Sequence, residues 1–370
     1  ITDLGAFNAF LTAVFIAGIL QLLLGFIKAG TISNYFPTNV IEGMLGGIGV
    51  IIFLKQLPHA FGYDKDYEGD FAFLQPDGEN TFSELFQVIG HIQLGSVIIT
   101  AVSLFILIMW NKVDFLKKMK LVPAALIAVI ISIIINELFI KTGSSLAIKD
   151  EHLVKLPVPT SIEEFKAIFV FPDFTTLTNS KVWIVGVTIA IVASIETLLC
   201  IEAADRMDAL KRYTDTNVEL KAQGVGNIVS ALLGGLPMTS VVVRTTANNA
   251  AGAKSKMSAI IHGLLLLACV LAIPKILNRI PLATLAAILL LVGYKLANPK
   301  ILKNFYIRGK YQFIPFIATL LGVVFTDLLK GVALGLIISV IFILKGNMKR
   351  AYKFRKEEYQ EGDIIHIDLA

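Results

Sequence analysis

The chain has 370 residues, 55% hydrophobic and only 16% charged, with 33 Lys and Arg against 28 Asp and Glu. Soluble chains run at about 45–50% apolar and about 25% charged, and a mean hydropathy of +0.74 exceeds what one packed core buries. The apolar residues recur in blocks of about 20, separated by charged stretches, as bilayer-spanning helices require. This specifies an all-α polytopic membrane protein. It excludes a disordered chain, a nucleic-acid-binding domain and a disulfide-stapled secreted domain, since Cys200 and Cys269 both lie in apolar runs.

The chain opens Ile1-Thr2-Asp3, and its first apolar run lacks the basic lead of a signal peptide. About eleven membrane segments follow in order. Full spans are expected near 7–27, 39–58, 87–110, 118–139, 182–203, 217–235, 255–274, 281–297, 312–328 and 329–346, with a short segment at 238–251. Gly46, Gly47 and Gly49, and the pair Gly234-Gly235, suit close helix contact in lipid. Gly331 and Gly335 mark a tight antiparallel pairing of the last two spans. The stretch Ile364 to Leu369 alternates as a strand does, and both ends of the chain read as cut, so the expectation is a fragment.

Loop charge orients the spans. The loop after the second span carries Asp64, Asp66, Glu68, Asp70, Asp77 and Glu79 against Lys65, and is expected outside. Lys112, Lys117, Lys118 and Lys120, then Arg206, Lys211 and Arg212, then Lys295 to Lys310, then the tail from Lys345, all fall on one side once the short segment counts as a crossing. That is the positive-inside pattern, with the connection 140–181 outside and the C-terminal tail cytoplasmic.

An offset of 244 residues aligns Asn34, Pro37 and Gly49 with Asn278, Pro281 and Gly293, and pairs the preceding spans. The matched spans lie an odd number of segments apart, so they run in opposite directions. Inverted repeats of this kind are a feature of secondary transporters, whose site lies at the repeat interface near mid-bilayer.

The most informative stretch runs from Gly234-Gly235-Leu236-Pro237-Met238-Thr239-Ser240-Val241-Val242-Val243-Arg244 to Asn249. Pro lacks an N–H and Gly favours no regular geometry, so the preceding helix breaks here. A helix restarting at Thr239 or Ser240 has about ten residues before Gly252, too few for a hydrocarbon core of about 30 Å. The first N–H groups of such a half-helix lack intrahelical partners, and the dipole places about half a positive charge there. An anion satisfies both needs. Thr239 and Ser240 add hydroxyls, and Arg244 adds a full charge whose presence in a membrane segment marks a site. The competing structural account is a re-entrant helix capped by protein groups alone.

Glu196 lies in the otherwise uncharged run from Trp183 to Cys200, on one helix face with Ala193, Thr197 and Cys200. A bare carboxylate there costs several kcal/mol, so it is protonated or paired. One account is a salt bridge to Arg244; the other is a coupling site for H⁺ or Na⁺. Gln223 and Asn227, spaced i and i+4, either orient the half-helix or act as polar glue between helices. Asp327 is interfacial or caps the turn before the last span. His59, His91, His152, His262 and His366 show no metal-ligand spacing, so no metal site and no cofactor is expected; His59 and His152 read as loop residues. No Walker A, GxSxG or HExxH sequence is present, so the chain is not expected to be an enzyme.

These motifs resemble the SulP family of sulfate permeases and related anion exchangers. Asn34 to Gly49 ending Leu54-Lys55-Gln56-Leu57-Pro58-His59 is similar to the family's fifth helix, and Ser194-Ile195-Glu196-Thr197-Leu198-Leu199 to its eighth. Glu219 to Asn227 resembles the ninth, Gly235 to Ala253 the tenth, and Glu361 to Ala370 the first strand of the cytosolic STAS domain. The resemblance implies two inverted seven-helix repeats forming core and gate domains, often dimeric, with spans four to fourteen in residues 1–348. Residues 349–370 would be a linker and the start of a STAS domain. Helices one to three and most of the STAS domain would be missing.

By position, the resemblance places an anion site at Ser240, Val241 and Val242 beside Thr239, with Arg244 behind it, and the coupling carboxylate at Glu196 near Cys200. Many members carry Gly-Ala at Ser240-Val241 and a hydroxyl residue in place of Cys200 or Val242, which weakens Na⁺ coupling here and favours H⁺. The expected function is secondary transport of sulfate or bicarbonate across the plasma membrane by an elevator-like movement, with the lipid bilayer, a second copy and the anion as partners and no nucleic acid. The rivals are a nucleobase or organic-anion permease of the same fold, and a non-transporting membrane sensor or motor.

Overall fold

The computed structural model describes residues 4, 6–64, 73, 80–88, 90–113, 122–159, 161–167, 169–208, 210–241, 244–245, 248–249, 252–348, 352–359 and 362–369. Val242, most charges of the acidic loop after the second span, Lys117, Lys118, Lys120, Lys349 and Arg350 lie outside them.

Fourteen α-helices are described: α1 (Phe7–Phe26), α2 (Thr38–Ala60), α3 (Thr81–Val88), α4 (Leu94–Lys112), α5 (Ala124–Lys141), α6 (Ile162–Ala167), α7 (Ser180–Met207), α8 (Thr216–Leu232), α9 (Met257–Ala272), α10 (Pro274–Leu277), α11 (Leu282–Leu296), α12 (Pro299–Ile307), α13 (Lys310–Phe325) and α14 (Leu328–Met348). They are followed by strands β1 (Tyr352–Tyr359) and β2 (Gly362–Leu369). Among the described residues, six helical stretches are long and apolar enough to cross a membrane, and Leu94–Trp110, Met257–Ala272 and Lys310–Phe325 are shorter apolar helices. α9 buries none of its residues and exposes Ile260, Ile261, Leu264, Leu265, Leu266 and Leu267. Water does not tolerate such a surface, and a bilayer or neighbouring helices do.

Several boundaries differ from the sequence expectation. The span at 87–110 divides into α3 and α4, because His91 to Gln93 interrupts the ladder. The basic stretch 295–310 contains α12, opened by Pro299 and capped by Asn298, whose side chain accepts from the Lys300 N–H. The segment before the expected strand, read as a linker, is itself β1; it pairs antiparallel with β2 from Tyr352 opposite Leu369 to Tyr359 opposite Gly362.

The chain divides into two compact units. The first comprises residues 1–36, 52–70 and 74–294. Here α1 lies against α7 and α8. Leu11, Ala13, Val14, Ala17 and Gln21 are fully buried on it. A Cβ on Gly18 would stand 2.8 Å from the Gly224 carbonyl, so α1 and α8 touch backbone to backbone, as small residues permit in lipid. Asn179 and Asp215 cap α7 and α8 through their side chains.

In the same unit, Thr100 on α4 donates to the Ala60 carbonyl at 2.9 Å, and Ile99, Ile148 and Ala283 form a small core. The connection after α5 is held to the start of α11. Asn278 accepts from the Leu156 N–H at 2.7 Å and donates to its carbonyl at 3.0 Å, and Val154 N–H donates to Ile280 at 3.0 Å. Asn278, singled out above for its place in a repeat, is thus a backbone clamp.

The second unit comprises residues 37–51, 71–73 and 295–370. Gly43 and Gly47 of α2 meet α13 so closely that a Cβ would fall 2.6 Å from the Phe316 carbonyl and 2.9 Å from the Val323 Cβ. Gly331 meets Gly322 and Val323, and Gly335 meets Thr319, which makes the expected tight pairing of α13 and α14. Asp327 caps α14, accepting from the Lys330 N–H at 2.8 Å. Its carboxyl stays below its ordinary range: burial pushes upward, but the hydrogen bonds and charge of Lys330 prevail.

Candidate substrate site

The site is built in the first unit on α1, α7, α8 and the chain leaving α8. That chain turns sharply at Gly234, whose φ of +83° favours glycine. A side chain there would strike the Val170 backbone. The Gly235 N–H then donates to the Ser230 carbonyl at 2.7 Å, and the Ser230 hydroxyl to the Leu236 carbonyl at 2.8 Å.

From Gly235 to Val241 the backbone is not helical. The helix therefore resumes later than Thr239 or Ser240. Arg244, Thr245, Asn248 and Asn249 are helical, Thr245 N–H reaches the Val241 carbonyl at 3.3 Å, and Gly252 at φ +86° ends the turn. The break at Pro237 leaves polar backbone inside an apolar bundle, and such groups require partners.

Side chains of α8 and α1 supply them. The Met238 N–H donates to Asn227 Oδ1 at 2.5 Å. The Met238 carbonyl accepts from Asn227 Nδ2 at 3.1 Å and from Gln223 Nε2 at 3.0 Å. Asn227 Nδ2 also reaches Gln21 Oε1 at 2.7 Å, and Gln21 Nε2 reaches Ser194 Oγ at 3.4 Å. Gln21, Asn227 and Thr197 are wholly buried. Gln223 and Asn227 therefore do orient the broken segment, while also joining helices. Gln223 Oε1 is buried with no hydrogen-bond partner among the described residues.

The segment then meets α7. Thr239 Oγ1 donates to the Ala193 carbonyl at 3.3 Å and lies 3.2 Å from Thr197 Oγ1. The Ser240 N–H donates to Thr197 Oγ1 at 3.2 Å. Glu196, half-buried one residue before Thr197, has its carboxyl in hydrogen-bonding reach of the Thr239 side chain. Cys200 is buried one turn further along α7.

Of the sequence candidates, Glu196, Thr239 and Ser240 converge. Arg244 does not join them: among the described residues no ion pair links it to Glu196. It lines a cavity of about 620 Å³ with Thr245, Asn248, Ser258, Ala259, His262 and Leu266. The Val241 side chain is exposed, and its carbonyl is taken up by the Thr245 N–H and hydroxyl. Two residues of this hydrogen-bonded network carried no assigned role in the sequence, Thr197 and Gln21. Their only signal is a polar side chain within an apolar run, the pattern that also exposed Glu196. Among the described residues no group of three or more His, Cys, Asp or Glu is arranged to hold a metal ion.

A sulfate permease family model matches residues 3–319. The chain belongs to the sulfate permease family. Its relatives include YvdB of Bacillus subtilis (strain 168), whose name provisionally makes it a sulfate transporter. YvdB is 29% identical over 354 residues, covering 94% of this chain and 62% of its own length. The bicarbonate transporter BicA of Picosynechococcus sp. (strain ATCC 27264 / PCC 7002 / PR-6) is 24% identical over 335 residues, covering 90% and 55%. The chain thus spans about half to three-fifths of the length of the curated relatives it matches. Among solved structures, SLC26A9 matches with a TM-score of 0.68 at 19% identity, over 96% of this chain and 53% of the other. At that identity the shared property is the fold. The family's named members are transporters, not enzymes, and the chain is a multi-pass membrane protein of this class.

Proposed function

We propose that this sulfate permease chain is the membrane part of a secondary active transporter for a small inorganic anion, sulfate or bicarbonate. The observation that carries the reading is the broken segment after Pro237, fastened at Met238 and presenting Thr239 and the Ser240 N–H to Thr197 and Glu196 on α7. The Ser240 N–H is held by a neutral hydroxyl at 3.2 Å. An arriving oxyanion offers that N–H a charged acceptor, and charge-assisted bonds are about twice as strong as neutral ones. Thr197 and Thr239 then turn their hydroxyls to the ligand, and Arg244 supplies positive potential from the adjacent cavity. The names of YvdB and BicA support sulfate and bicarbonate as the substrates to test.

Glu196 is the coupling group. Anion binding beside its carboxyl favours the protonated form, because two negative charges in a low-dielectric site repel. Anion and proton therefore load together, and an elevator-like movement carries both. The protein resides in the plasma membrane as a homodimer with its C-terminal tail cytoplasmic. Residues 1–348 form the transporter domain.

The test is uptake of labelled sulfate and of labelled bicarbonate into proteoliposomes containing the protein. Arg244→Ala and Glu196→Gln are expected to lower uptake of the true substrate at least tenfold, a change of about 1.4 kcal/mol. Unchanged rates for both variants would refute the assignment.

A further inference from the structure

One carboxamide on α8 joins both α7 and the interrupted segment. Gln223 Nε2 donates to the Met238 carbonyl at 3.0 Å and to the Ala193 carbonyl at 3.3 Å. The same Ala193 carbonyl accepts from Thr239 Oγ1 at 3.3 Å, so the Gln223 head is two hydrogen bonds from that hydroxyl. Thr239 Oγ1 in turn lies 3.2 Å from the Thr197 Oγ1 that takes up the Ser240 N–H. Gln223 therefore belongs to the same connected set as the backbone donor at Ser240. Its other head atom, Oε1, is buried without a hydrogen-bond partner among the described residues, on a residue only 8% exposed.

The partners fix which way the amide faces. Nε2 meets two carbonyl oxygens, and turning the group over would set Oε1 against both. Oε1 is thus an acceptor that calls for a donor, because a buried polar atom left unmatched loses the bond it made in water. The neighbouring side chains have their protons engaged elsewhere. Thr239 donates to the Ala193 carbonyl, which leaves the Thr197 proton for Thr239 Oγ1. Asn227 Nδ2 serves the Met238 carbonyl and Gln21 Oε1.

We propose that Gln223 Oε1 is a specificity-determining acceptor for an O–H group on the transported oxyanion, so that the site prefers oxyanions that carry a proton, such as bicarbonate, over those that present only acceptors, such as sulfate. This rests on the anion site proposed above and chooses among its substrates. The Ser240 N–H and the threonine hydroxyls serve any oxyanion through its bare oxygens. Oε1 does not: an O–H directed at it adds a bond, whereas a bare oxygen sets lone pair against lone pair and leaves the acceptor unmatched.

A site that hydrogen-bonds a ligand O–H rejects the analogue lacking it far more strongly than an apolar pocket rejects a missing methylene. The amide is also neutral, so it accepts the proton without adding charge repulsion to a bound anion. Glu196 is the other acceptor at hand, in reach of the Thr239 side chain. Under the coupling role assigned to it, Glu196 is protonated while the anion is bound and does not compete for the ligand's proton.

Two pairs of anions isolate the donor from shape and charge. Bicarbonate and nitrate are both planar and monovalent, and only bicarbonate carries an O–H. Hydrogenphosphate and sulfate are both tetrahedral and divalent, and only hydrogenphosphate carries one. Dissociation constants of all four are measured by calorimetry on the purified full chain in lipid nanodiscs, at mildly alkaline pH and constant ionic strength. The expected result is a preference of roughly tenfold or more for the O–H member of each pair, falling to about twofold or less in Gln223→Leu. The ratio within a pair is insensitive to a general loss of affinity, and Gln223→Met covers the case in which Gln223→Leu does not fold. In Glu196→Gln the preference should persist. Equal affinities within both pairs in the wild type mean that water serves Oε1, and overturn the assignment. A preference that survives in the Gln223 variants, or vanishes in Glu196→Gln, gives the O–H to another acceptor and overturns it too. Failure of all four anions to bind overturns the anion site itself, and the selectivity with it.

Discussion

Thr197 on α7 and Ser240 in the interrupted segment are joined by a hydrogen bond of 3.2 Å from backbone N–H to hydroxyl, across 43 residues of sequence. This single oxygen also lies 3.2 Å from the Thr239 hydroxyl. Under the proposed site, it stands where an anion's oxygen would bind, as a neutral placeholder on a part-buried backbone donor. Thr197→Val keeps shape and removes that oxygen. It is expected to destabilise the protein by about 1–3 kcal/mol, the usual penalty for an unpaired buried donor, visible as a lower Tm in detergent or nanodiscs. It should also weaken anion affinity several-fold. An unaltered Tm and unaltered affinity would mean that the bond contributes nothing.

Asn227 satisfies both polar groups of Met238 and reaches Gln21 as well. Asn227→Leu, similar in size, leaves the Met238 N–H and the Gln21 oxygen stranded in apolar surroundings. A loss of about 3 kcal/mol or more is expected, since a partly satisfied buried network is worse than none. Gln223→Leu removes donors to carbonyls that keep or regain other partners, so about 1 kcal/mol is expected. Equal Tm shifts for the two variants would contradict this ordering.

The sequence made the membrane class and most spans readable because apolar continuity over 18 to 28 residues has no other common use. It also revealed the break at Pro237, because Gly-Gly-Leu-Pro states a backbone geometry outright. It located Glu196 because one charge in an apolar run is conspicuous. It did not reveal where the helix resumes. Hydrogen bonds with Asn227, Gln223 and Thr197 hold Met238 to Ser240 in a non-helical path, and those partners come from other helices. The same holds for Arg244, whose proximity to Glu196 in either earlier account depended on the segment's rotation. The meeting of His59 and His152 at Asp64, with Nδ1 atoms 2.5 and 2.6 Å from its oxygens, was unreadable for a related reason: the three lie on α2, in the loop that leaves it and on a distant connection, so no spacing announces them.

Glu196→Gln separates coupling from binding. The amide keeps a partner for the Thr239 hydroxyl but carries no proton to exchange. Under the coupling role assigned to Glu196, sulfate or bicarbonate uptake in the wild type rises as the loading side is acidified, and the variant loses that dependence while retaining measurable anion binding. The measurement is initial uptake rate across about two pH units, alongside equilibrium binding. A variant with an unmodified pH profile would place the proton elsewhere.

Two glycines test the packing logic with opposite signs. In the second unit, Gly331 on α14 meets the backbone of Gly322 and Val323 on α13, with no flexible side chain to yield. Gly331→Ala forces the two helices apart, and overpacking of this kind costs about 1–3 kcal/mol. Gly263 lies within α9, where an added Cβ meets nothing within 4 Å. Gly263→Ala gains helix propensity without a clash and is expected to stabilise by about 0.5–1 kcal/mol. The pair is measured by thermal unfolding of the same preparation. Small residues at α13 and α14 serve close approach, which in lipid supplies the van der Waals attraction that water would otherwise provide through the hydrophobic effect. A Gly331→Ala protein as stable as the wild type would show that the tight α13–α14 contact is not what holds that unit together.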